Sequence, residues 1–440
     1  MDVPSSGELV SSTVELPQSG TSFYKAESPS SPGNVGQASS PTFVMPDYQP
    51  VEKMGCGLEF DFNYGLRFRI PREGRKLRVV VRDKQSGNLL MNSVIEPDYG
   101  LVAPKKYFMD YRLEVHDPDT GNMLESYDMD LKDRDVLVQL PYSGALGDTI
   151  AWFSYVTGFI DEHQCRAHVL MPPHIAEIFK PFYKDSIIFE TWESAKALRP
   201  LATYYIGLFF KGDEDWQPVD FRTIGLARQA ASILGVEHLT ENEPSLDLGA
   251  PRKISERYVV VATQASSHAK CWNNPSGWRL VIKDLRERGY RVLCIDRSAE
   301  TGAGEIWHTM PNGCEDFTGD RPLQERVDII KDADFFIGLN SGLSWLAWCC
   351  GVPVVVISGI CADFGEFQTP YRVCARHVCH GCWNDTRYEF DHSDYMWCPR
   401  HKGTNRAYEC TKCISAKQVL DTIDTIPGIL KHDGKEAMAK

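Results

Sequence analysis

The stretch VLVQLPYSGALGDTIAWFSYVTGF, residues 136–159, decides the fold class of this chain. It joins an apolar run of strand length, Val136–Leu140, to a loop that contains Gly144 and Gly147, and then to an apolar run of helical length. A strand that turns into a helix through small residues is the usual start of a βαβ unit. The sequence therefore predicts an α/β protein built on parallel sheets.

The same alternation of strand-like and helical runs extends outward from this stretch in two series. The first fills residues 135–250, and the second starts at Tyr258 and fills residues 251–375. Strands that alternate with helices form parallel sheets covered on both faces, so the pattern predicts two Rossmann-like halves with a cleft between them. Neither half contains a Gly-x-Gly-x-x-Gly fingerprint or a Walker loop, which argues against a dinucleotide enzyme or an NTPase.

The N-terminal segments have a different pattern. Residues 51–134 hold short alternating apolar and polar runs separated by turn signals, which predicts a small antiparallel sheet or barrel. Residues 1–50 contain eleven Ser, seven Pro and only six charged residues, so they cannot bury enough apolar surface to offset the entropy of ordering. We expect this segment to be a disordered tail.

Composition and charge narrow the class of protein further. The chain has 440 residues, of which 42% are hydrophobic and 24% charged, as in an ordinary globular protein. It has no run of 18 uncharged apolar residues, so no membrane span is expected. The first 30 residues lack a basic segment followed by an apolar one, so we expect no secretory signal and a cytoplasmic location. A net charge of −13 argues against general nucleic-acid or anionic-membrane binding.

Asp148 is the first candidate functional residue. It follows Gly147 at the expected start of a helix, on the carboxyl edge of a parallel sheet, where open α/β folds bind ligands. Spacing alone favours an N-cap role, because Asp is a preferred capping residue. A carboxylate in this loop could also accept a proton from an attacking hydroxyl group.

A second loop, Gly338-Leu-Asn-Ser-Gly-Leu-Ser-Trp-Leu-Ala347, predicts a strand that ends in a small-residue turn before a helix at Ser341 or Gly342. The free N–H groups and macrodipole of such a helix start favour an anionic phosphate, although an ordinary βα loop would look the same. Lys270 follows the first strand of this half and could supply a positive charge to a leaving diphosphate. A lone lysine in a loop is more often simply solvated.

A cysteine-rich segment follows the two halves. Six of the fourteen cysteines fall within residues 374–413, a density that favours metal binding over disulfides in a chain without a secretion signal. The motifs Cys379-His-Gly-Cys382, Cys398-Pro-Arg-His401 and Cys410-Thr-Lys-Cys413 have the spacing of a tetrahedral four-thiolate site, which is closed and hence structural. Spacing favours zinc, then iron, and does not distinguish Cys410 from Cys413 as the fourth ligand.

Together these motifs resemble the bacterial autotransporter heptosyltransferases, which are related to the ADP-heptose lipopolysaccharide heptosyltransferases. The resemblance runs from about residue 55 to about residue 425 and rests on Gln139–Asp148, 218–222, 272–274, 341–348 and the cysteine-rich segment. It implies a GT-B-like pair of Rossmann-type domains with an N-terminal small β-barrel. It also implies a four-cysteine metal finger at residues 376–413, followed by a C-terminal helix and tail at 414–440.

The resemblance further implies an activity, the transfer of heptose from ADP-heptose to serines of autotransporter adhesin repeats, with an Asp general base and no catalytic metal. It places the acceptor on the first half and the donor on the second. The implied site residues are Asp148 for catalysis; Gly147, Lys270, Trp272, Asn340, Ser341, Gly342 and Leu343 for substrate binding; and Cys379, Cys382, Cys398 and Cys410 for one structural iron, with zinc as the alternative.

The implied partners are ADP-heptose, an autotransporter passenger protein and further copies of the chain in a large homo-oligomer. Two other functions stay open. A lipopolysaccharide inner-core heptosyltransferase would share the two halves but would need neither the β module nor the finger. A metal-finger interaction protein would carry an inactive core.

Overall fold

The computed structural model describes residues 14–15, 43–45, 47, 49–210, 213–236, 244–246, 248–391 and 393–432. Most of the predicted disordered tail, residues 1–50, therefore lies outside the described residues, as does the last part of the predicted C-terminal tail. Among the described residues, no helix combines the length and the hydropathy that crossing a bilayer requires.

The elements follow one another from an all-strand N-terminal part into two alternating halves. The N-terminal strands and the first strand of the first half are β1 (Val14–Glu15), β2 (Glu52–Lys53), β3 (Glu59–Asn63), β4 (Arg67–Arg69), β5 (Leu77–Asp83), β6 (Leu89–Ile95), β7 (Tyr99–Val102), β8 (Tyr111–His116), β9 (Met123–Asp128) and β10 (Asp135–Gln139). The first half continues with α1 (Leu146–His163), β11 (Arg166–Leu170), α2 (Pro173–Tyr183), β12 (Ile187–Glu190), α3 (Trp192–Ala197), β13 (Ala202–Tyr205), α4 (Phe221–Ile224) and α5 (Leu226–Leu234).

The second half and the C-terminal segment complete the chain. They contain β14 (Tyr258–Val261), α6 (Gly277–Glu287), β15 (Arg291–Cys294), β16 (Glu300–Ala303), β17 (Ile306–Thr309), β18 (Glu315–Asp316), α7 (Leu323–Ile330), β19 (Phe336–Leu339), α8 (Gly342–Cys349), β20 (Val354–Ile357), β21 (Arg372–Val373), α9 (Glu409–Lys412) and α10 (Ala416–Ile423). Short 3-10 helices lie at His268–Lys270, Asp363–Gly365 and Cys382–Asn384.

Both halves contain the predicted parallel sheets. In the second half the strand order is β18-β15-β14-β19-β20-β21, with every neighbouring pair parallel. In the first half the strand order is β13-β10-β11-β12, and again every neighbouring pair is parallel. Such sheets bind ligands where the strand order reverses, beyond the carboxyl ends of the two central strands. The loops after β10 and after β14 and β19 therefore lie at the ligand-binding edges.

The N-terminal strands form two groupings. Strands β6-β5-β8-β9 make a separate antiparallel four-stranded sheet, which is the small antiparallel sheet that the alternating pattern predicts. Strand β3 instead pairs in parallel with β13, so β2, β3, β4, β7 and β1 extend the sheet of the first half. The N-terminal strands and the first half thus share one continuous sheet, and closure of these strands into a barrel stays a prediction.

Packing begins earlier in the chain than the expected boundary at residue 50. Phe43 and Val44 are buried, and the Val44 backbone exchanges hydrogen bonds with the side-chain amide of Gln139 at 2.8 and 3.0 Å. Phe43 packs against the rings of Tyr64 and Tyr205. Local composition fails to predict this packing because the residues that cover Phe43 and Val44 are distant in sequence.

Helix α1, which follows the first candidate loop, is buried on most of its sides. Its residues Ile150, Trp152, Phe153 and Val156 are at most 1% exposed, and it packs against both α5 and α8. A helix that is apolar nearly all round is stable only when it is buried on most sides. This burial fixes the start of α1 against the start of α8, a helix of the other half.

Candidate active site and metal centre

The starts of α1 and α8 touch through two glycines. A Cβ atom on Gly147 would lie 2.9 Å from Trp345 Cδ1, and one on Gly342 would lie 2.8 Å from Leu146 Cβ and 3.0 Å from the Gly147 nitrogen. Glycine at both positions therefore permits backbone contact between the halves, directly beside the ligand-binding edges. Helix starts also carry free N–H groups and a positive partial charge, so this contact creates a region that favours anions.

Replacing Gly342 with alanine is expected to lower the free energy of unfolding by about 1–3 kcal/mol, because the new methyl group must push the two helix starts apart. Gly158 lies in α1 and is the matched control, since a Cβ there would meet only Val236 Cγ1 at 3.5 Å. Gly158→Ala should stabilise the protein by about 0.5–1 kcal/mol. Urea unfolding of both variants measures the difference, and equal effects would contradict the helix contact.

Asp148 lies in the first turn of α1, but it is not the N-cap residue that spacing alone favours. The N-cap is Ala145, which has extended backbone and makes no side-chain capping bond. The helix begins earlier than expected, so the carboxyl group of Asp148 is not needed for capping. Burial raises the pKa of this carboxyl above its ordinary value, while the positive charge of Lys270 partly opposes that rise. The carboxyl group therefore lies within the electrostatic field of Lys270.

Lys270 ends the 3-10 helix that follows β14, and its side chain is half-buried. Its ammonium nitrogen lies 5.7 Å from the centre of the Trp383 ring, in the cysteine-rich segment. Among the described residues, this ammonium makes no ion pair with a carboxylate. Its positive charge is thus held by an aromatic face and remains available to an anionic ligand.

In the loops after β14 and β19, two buried polar atoms lack hydrogen-bond partners within the described part of the chain. They are Oγ of Ser341, the N-cap residue of α8, and Nε2 of Gln264, in the loop after β14. Native proteins rarely leave such groups unsatisfied, so each is a candidate position for a ligand atom or an ordered water. Helix α8 starts at Gly342, the second of the two positions that the sequence left open. Sequence reasoning missed Gln264, whose only signal is its position just beyond the carboxyl end of β14.

The other predicted substrate-binding residues are not all in the cleft. Trp272 is 3% exposed and its indole N–H donates a 2.9 Å hydrogen bond to the Ile414 carbonyl, so its side chain is committed to the core of the second half. Asn340 is half-buried and its side chain hydrogen-bonds the Cys361 thiol. Leu343 packs, half-buried, against the core that α1 and α8 share.

In the cysteine-rich segment, the four predicted ligand thiols are near enough to influence one another's pKa values, although no three of them lie within 4.8 Å of one another. Cys382, Cys398 and Cys410 are 6–8% exposed, and Cys379 is half-buried beside them. Burial, followed by repulsion from Cys379, raises the pKa of the Cys382 thiol to about 12. Burial also raises the pKa of Cys410, and the next largest contributions come from Cys379, Cys382 and Cys398. Cys413, by contrast, is exposed.

A second set of donor atoms adjoins the thiols. Cys379, His401 and Glu409 present donor atoms within 4.8 Å of one another. Glu409, however, already accepts hydrogen bonds from the Arg406 guanidinium at 2.6 and 2.9 Å and from the Cys379 backbone. These bonds make Glu409 a support for the segment, whereas the sulfur-rich group of four matches the soft donors that zinc and iron take in tetrahedral sites.

Comparison with known proteins identifies the class to which the chain belongs. Residues 219–389 match the family model described as glycosyltransferase family 9 (heptosyltransferase), and residues 55–119 match the N-terminal domain of glycosyltransferase TibC. These matches place the chain among the glycosyltransferases of the heptosyltransferase class.

Full-length relatives give the family. The chain is 45% identical over 89% of its length to 99% of the autotransporter heptosyltransferase Aah of Escherichia coli. It is 34% identical over 90% of its length to 91% of the inactive autotransporter heptosyltransferase BimC of Burkholderia thailandensis. With sequences this similar along nearly their whole lengths, the chain belongs to the autotransporter heptosyltransferase family.

A solved structure shows the same fold. Dodecameric iron-containing TibC, crystallised in complex with ADP-D-β-D-heptose, has a TM-score of 0.81 and 44% identity to this chain, covering 87% of it and 99% of TibC. The predicted α/β class and heptosyltransferase family are therefore confirmed.

Proposed function

We propose that this protein transfers heptose from ADP-heptose to serine hydroxyl groups of an autotransporter passenger protein. One observation carries the proposal: Asp148 lies in the first turn of α1, whose start contacts the start of α8, and its carboxyl group is within electrostatic reach of Lys270. The ADP-heptose complex of TibC and the family's autotransporter relatives support the choice of donor and acceptor. A lipopolysaccharide acceptor is the competing outcome of the test below.

The proposed reaction is a single displacement. The serine Oγ attacks the anomeric carbon of the heptose, Asp148 takes the hydroxyl proton, and the bond from that carbon to the phosphate oxygen breaks. ADP leaves with the electron pair of the broken bond. Lys270 and the N–H groups at the start of α8 stabilise the negative charge that develops on the departing diphosphate. Ser341 and Gln264 are proposed as further donors to the nucleotide side, whereas Trp272 supports the loop from within the core.

We infer that the cysteine-rich segment holds one structural iron, with zinc as the alternative. The ligands would be Cys379, Cys382, Cys398 and Cys410, because these thiols cluster and are mostly buried while Cys413 is exposed. Such an ion crosslinks the segment and takes no part in the chemical step. The iron of TibC supports iron over zinc.

The remaining proposals concern the setting of the reaction. We place the protein in the cytoplasm, where all fourteen of its free cysteines stay reduced. The dodecameric state of TibC supports a large homo-oligomer, in which the N-terminal strands, proposed as a small barrel, could contribute contacts. The first half is proposed to hold the acceptor and the second half the donor.

The test is the intact mass of an autotransporter passenger fragment after incubation with the purified protein and ADP-heptose. We expect increments of one heptose unit that require both the protein and the donor. Truncated lipopolysaccharide, offered under the same conditions, should remain unmodified. Modification of the lipopolysaccharide instead of the passenger would overturn the proposed acceptor. Modification of neither would overturn the proposed activity and indicate an inactive protein, as BimC is.

A further inference from the structure

We propose that Trp383, in the cysteine-rich segment, is a positioning residue for the donor site: it holds the Lys270 ammonium where the donor diphosphate binds. Trp383 directly follows Cys382 and lies in the 3-10 helix Cys382–Asn384. The inference rests on the proposed function in one respect, namely that Lys270 binds the donor. It assigns to the segment a task beyond its own folding.

The first support is that the cysteine-rich segment contacts the turn that carries Lys270 at several residues. The backbone N–H of His268 donates to the Tyr395 carbonyl at 3.0 Å, and the Ser267 hydroxyl donates to the same carbonyl at 3.3 Å. The Tyr408 ring meets the His268 ring edge-on, with centroids 4.5 Å apart. These contacts, together with the Trp383 ring near Lys270, show that a segment remote in sequence restrains the position of the turn.

The second support is that Trp383 and its neighbour also reach the first half. The Trp383 ring lies 6.0 Å from that of Phe221, and the Asn384 amide donates a 3.1 Å hydrogen bond to the Arg222 carbonyl. The Asn384 side-chain oxygen accepts a 2.9 Å hydrogen bond from the Ala362 backbone of the second half. Trp383 and Asn384 thus tie the two halves together beside Lys270.

The third support is the chemistry of the Lys270–Trp383 contact. A free lysine side chain samples many rotamers, and binding a diphosphate with it requires loss of that freedom. A carboxylate would neutralise the charge of the ammonium. An aromatic face instead attracts the ammonium through its quadrupole and leaves that charge in place. Trp383 therefore restrains the position of the charge and leaves its attraction for an anion intact.

The experiment measures ADP-heptose affinity by calorimetry on the full-length, metal-loaded protein. Trp383→Leu is expected to weaken binding by about 2- to 30-fold, the range that cation–π contacts span. The matched control is Tyr388→Leu, because Tyr388 also lies under cations, but these are Arg387 and Arg400 of the same segment, at 5.9 and 5.5 Å. Tyr388→Leu should leave the affinity unchanged.

A double-mutant cycle with Lys270→Met separates positioning from general damage. In the Lys270→Met background, Trp383→Leu should have less than about a twofold further effect, because coupled residues are not additive. The metal content of every variant is measured alongside, and Trp383→Met provides a second replacement without an aromatic face.

The outcomes are distinguishable. Additive effects of the two substitutions, or loss of metal from both Trp383 variants, would overturn the positioning role and assign Trp383 to the folding of the segment. Unchanged affinity in Trp383→Leu, with weaker binding in Lys270→Met, would overturn positioning alone. Unchanged affinity in Lys270→Met would overturn the donor-binding role of Lys270 on which the inference rests.

Discussion

Replacing Asp148 with asparagine is expected to lower the turnover number by about 100-fold or more while leaving the protein folded. Asparagine keeps the size and shape of the side chain but cannot accept the proton of an attacking hydroxyl group. Asp148 does not cap α1, so the substitution removes no capping bond. Initial rates of ADP release, measured with a passenger acceptor, give the turnover number, and thermal unfolding checks that the fold is intact.

Asp161 provides the matched control for this variant, since it is an exposed aspartate on the same helix. Asp161→Asn should turn over like the unchanged protein. The unchanged protein should also lose activity as the pH falls through the pKa of Asp148, because the protonated carboxyl group cannot act as a base. Burial raises this pKa, so the loss should occur at a pH above the pKa of an ordinary aspartate. Full activity of Asp148→Asn would identify another group as the base. So would the same loss of activity at acidic pH in Asp148→Asn as in the unchanged protein.

The second large effect is expected for Cys382→Ser, which should lose the bound metal and much of the soluble, folded protein. Metal binding to a closed thiolate site contributes about 10–16 kcal/mol in small zinc domains, comparable to the whole stability of a typical domain at about 5–15 kcal/mol. Removing a buried ligand therefore removes folding free energy that the C-terminal part cannot replace. Elemental analysis of the purified protein and its yield in the soluble fraction measure both losses.

Cys413→Ser is the control for the finger, because Cys413 is exposed whereas Cys382, Cys398 and Cys410 are buried. This variant should keep its metal and its solubility. A Cys382→Ser protein with stoichiometric metal and normal yield would show that Cys382 is not a ligand. A Cys413→Ser protein without metal would move the fourth ligand away from Cys410.

The parallel sheets could be predicted from the sequence because each βαβ unit has a local signature. The apolar runs at Val136–Leu140 and Val354–Ile357 coincide with observed strands to within a residue. The pairing of β3 with β13 could not be predicted, because nothing within a strand of five residues specifies a partner far along the chain. The burial of Phe43 escapes prediction for the same reason.

The candidate site shows the same division between local and long-range information. The turn before Gly342 has a recognisable pattern of small residues, so the start of α8 could be predicted to within one residue, at Ser341 or Gly342. The same reasoning favoured a capping role for Asp148, which is wrong because the helix starts at Leu146. Spacing could not separate Cys410 from Cys413, since only their burial distinguishes them, and it could not show that Trp383 approaches Lys270.

The shared sheet of the N-terminal strands and the first half has a consequence for synthesis on the ribosome. Asn63 hydrogen-bonds to Thr203, a residue that leaves the ribosome 140 residues later. At translation rates of about 5–20 residues per second, that delay is roughly 7–30 s. During this interval the early strands expose an unpaired edge, which invites contact with other nascent chains. Expression at lower temperature or with added chaperones should therefore raise the soluble yield by protecting β3 until β13 emerges.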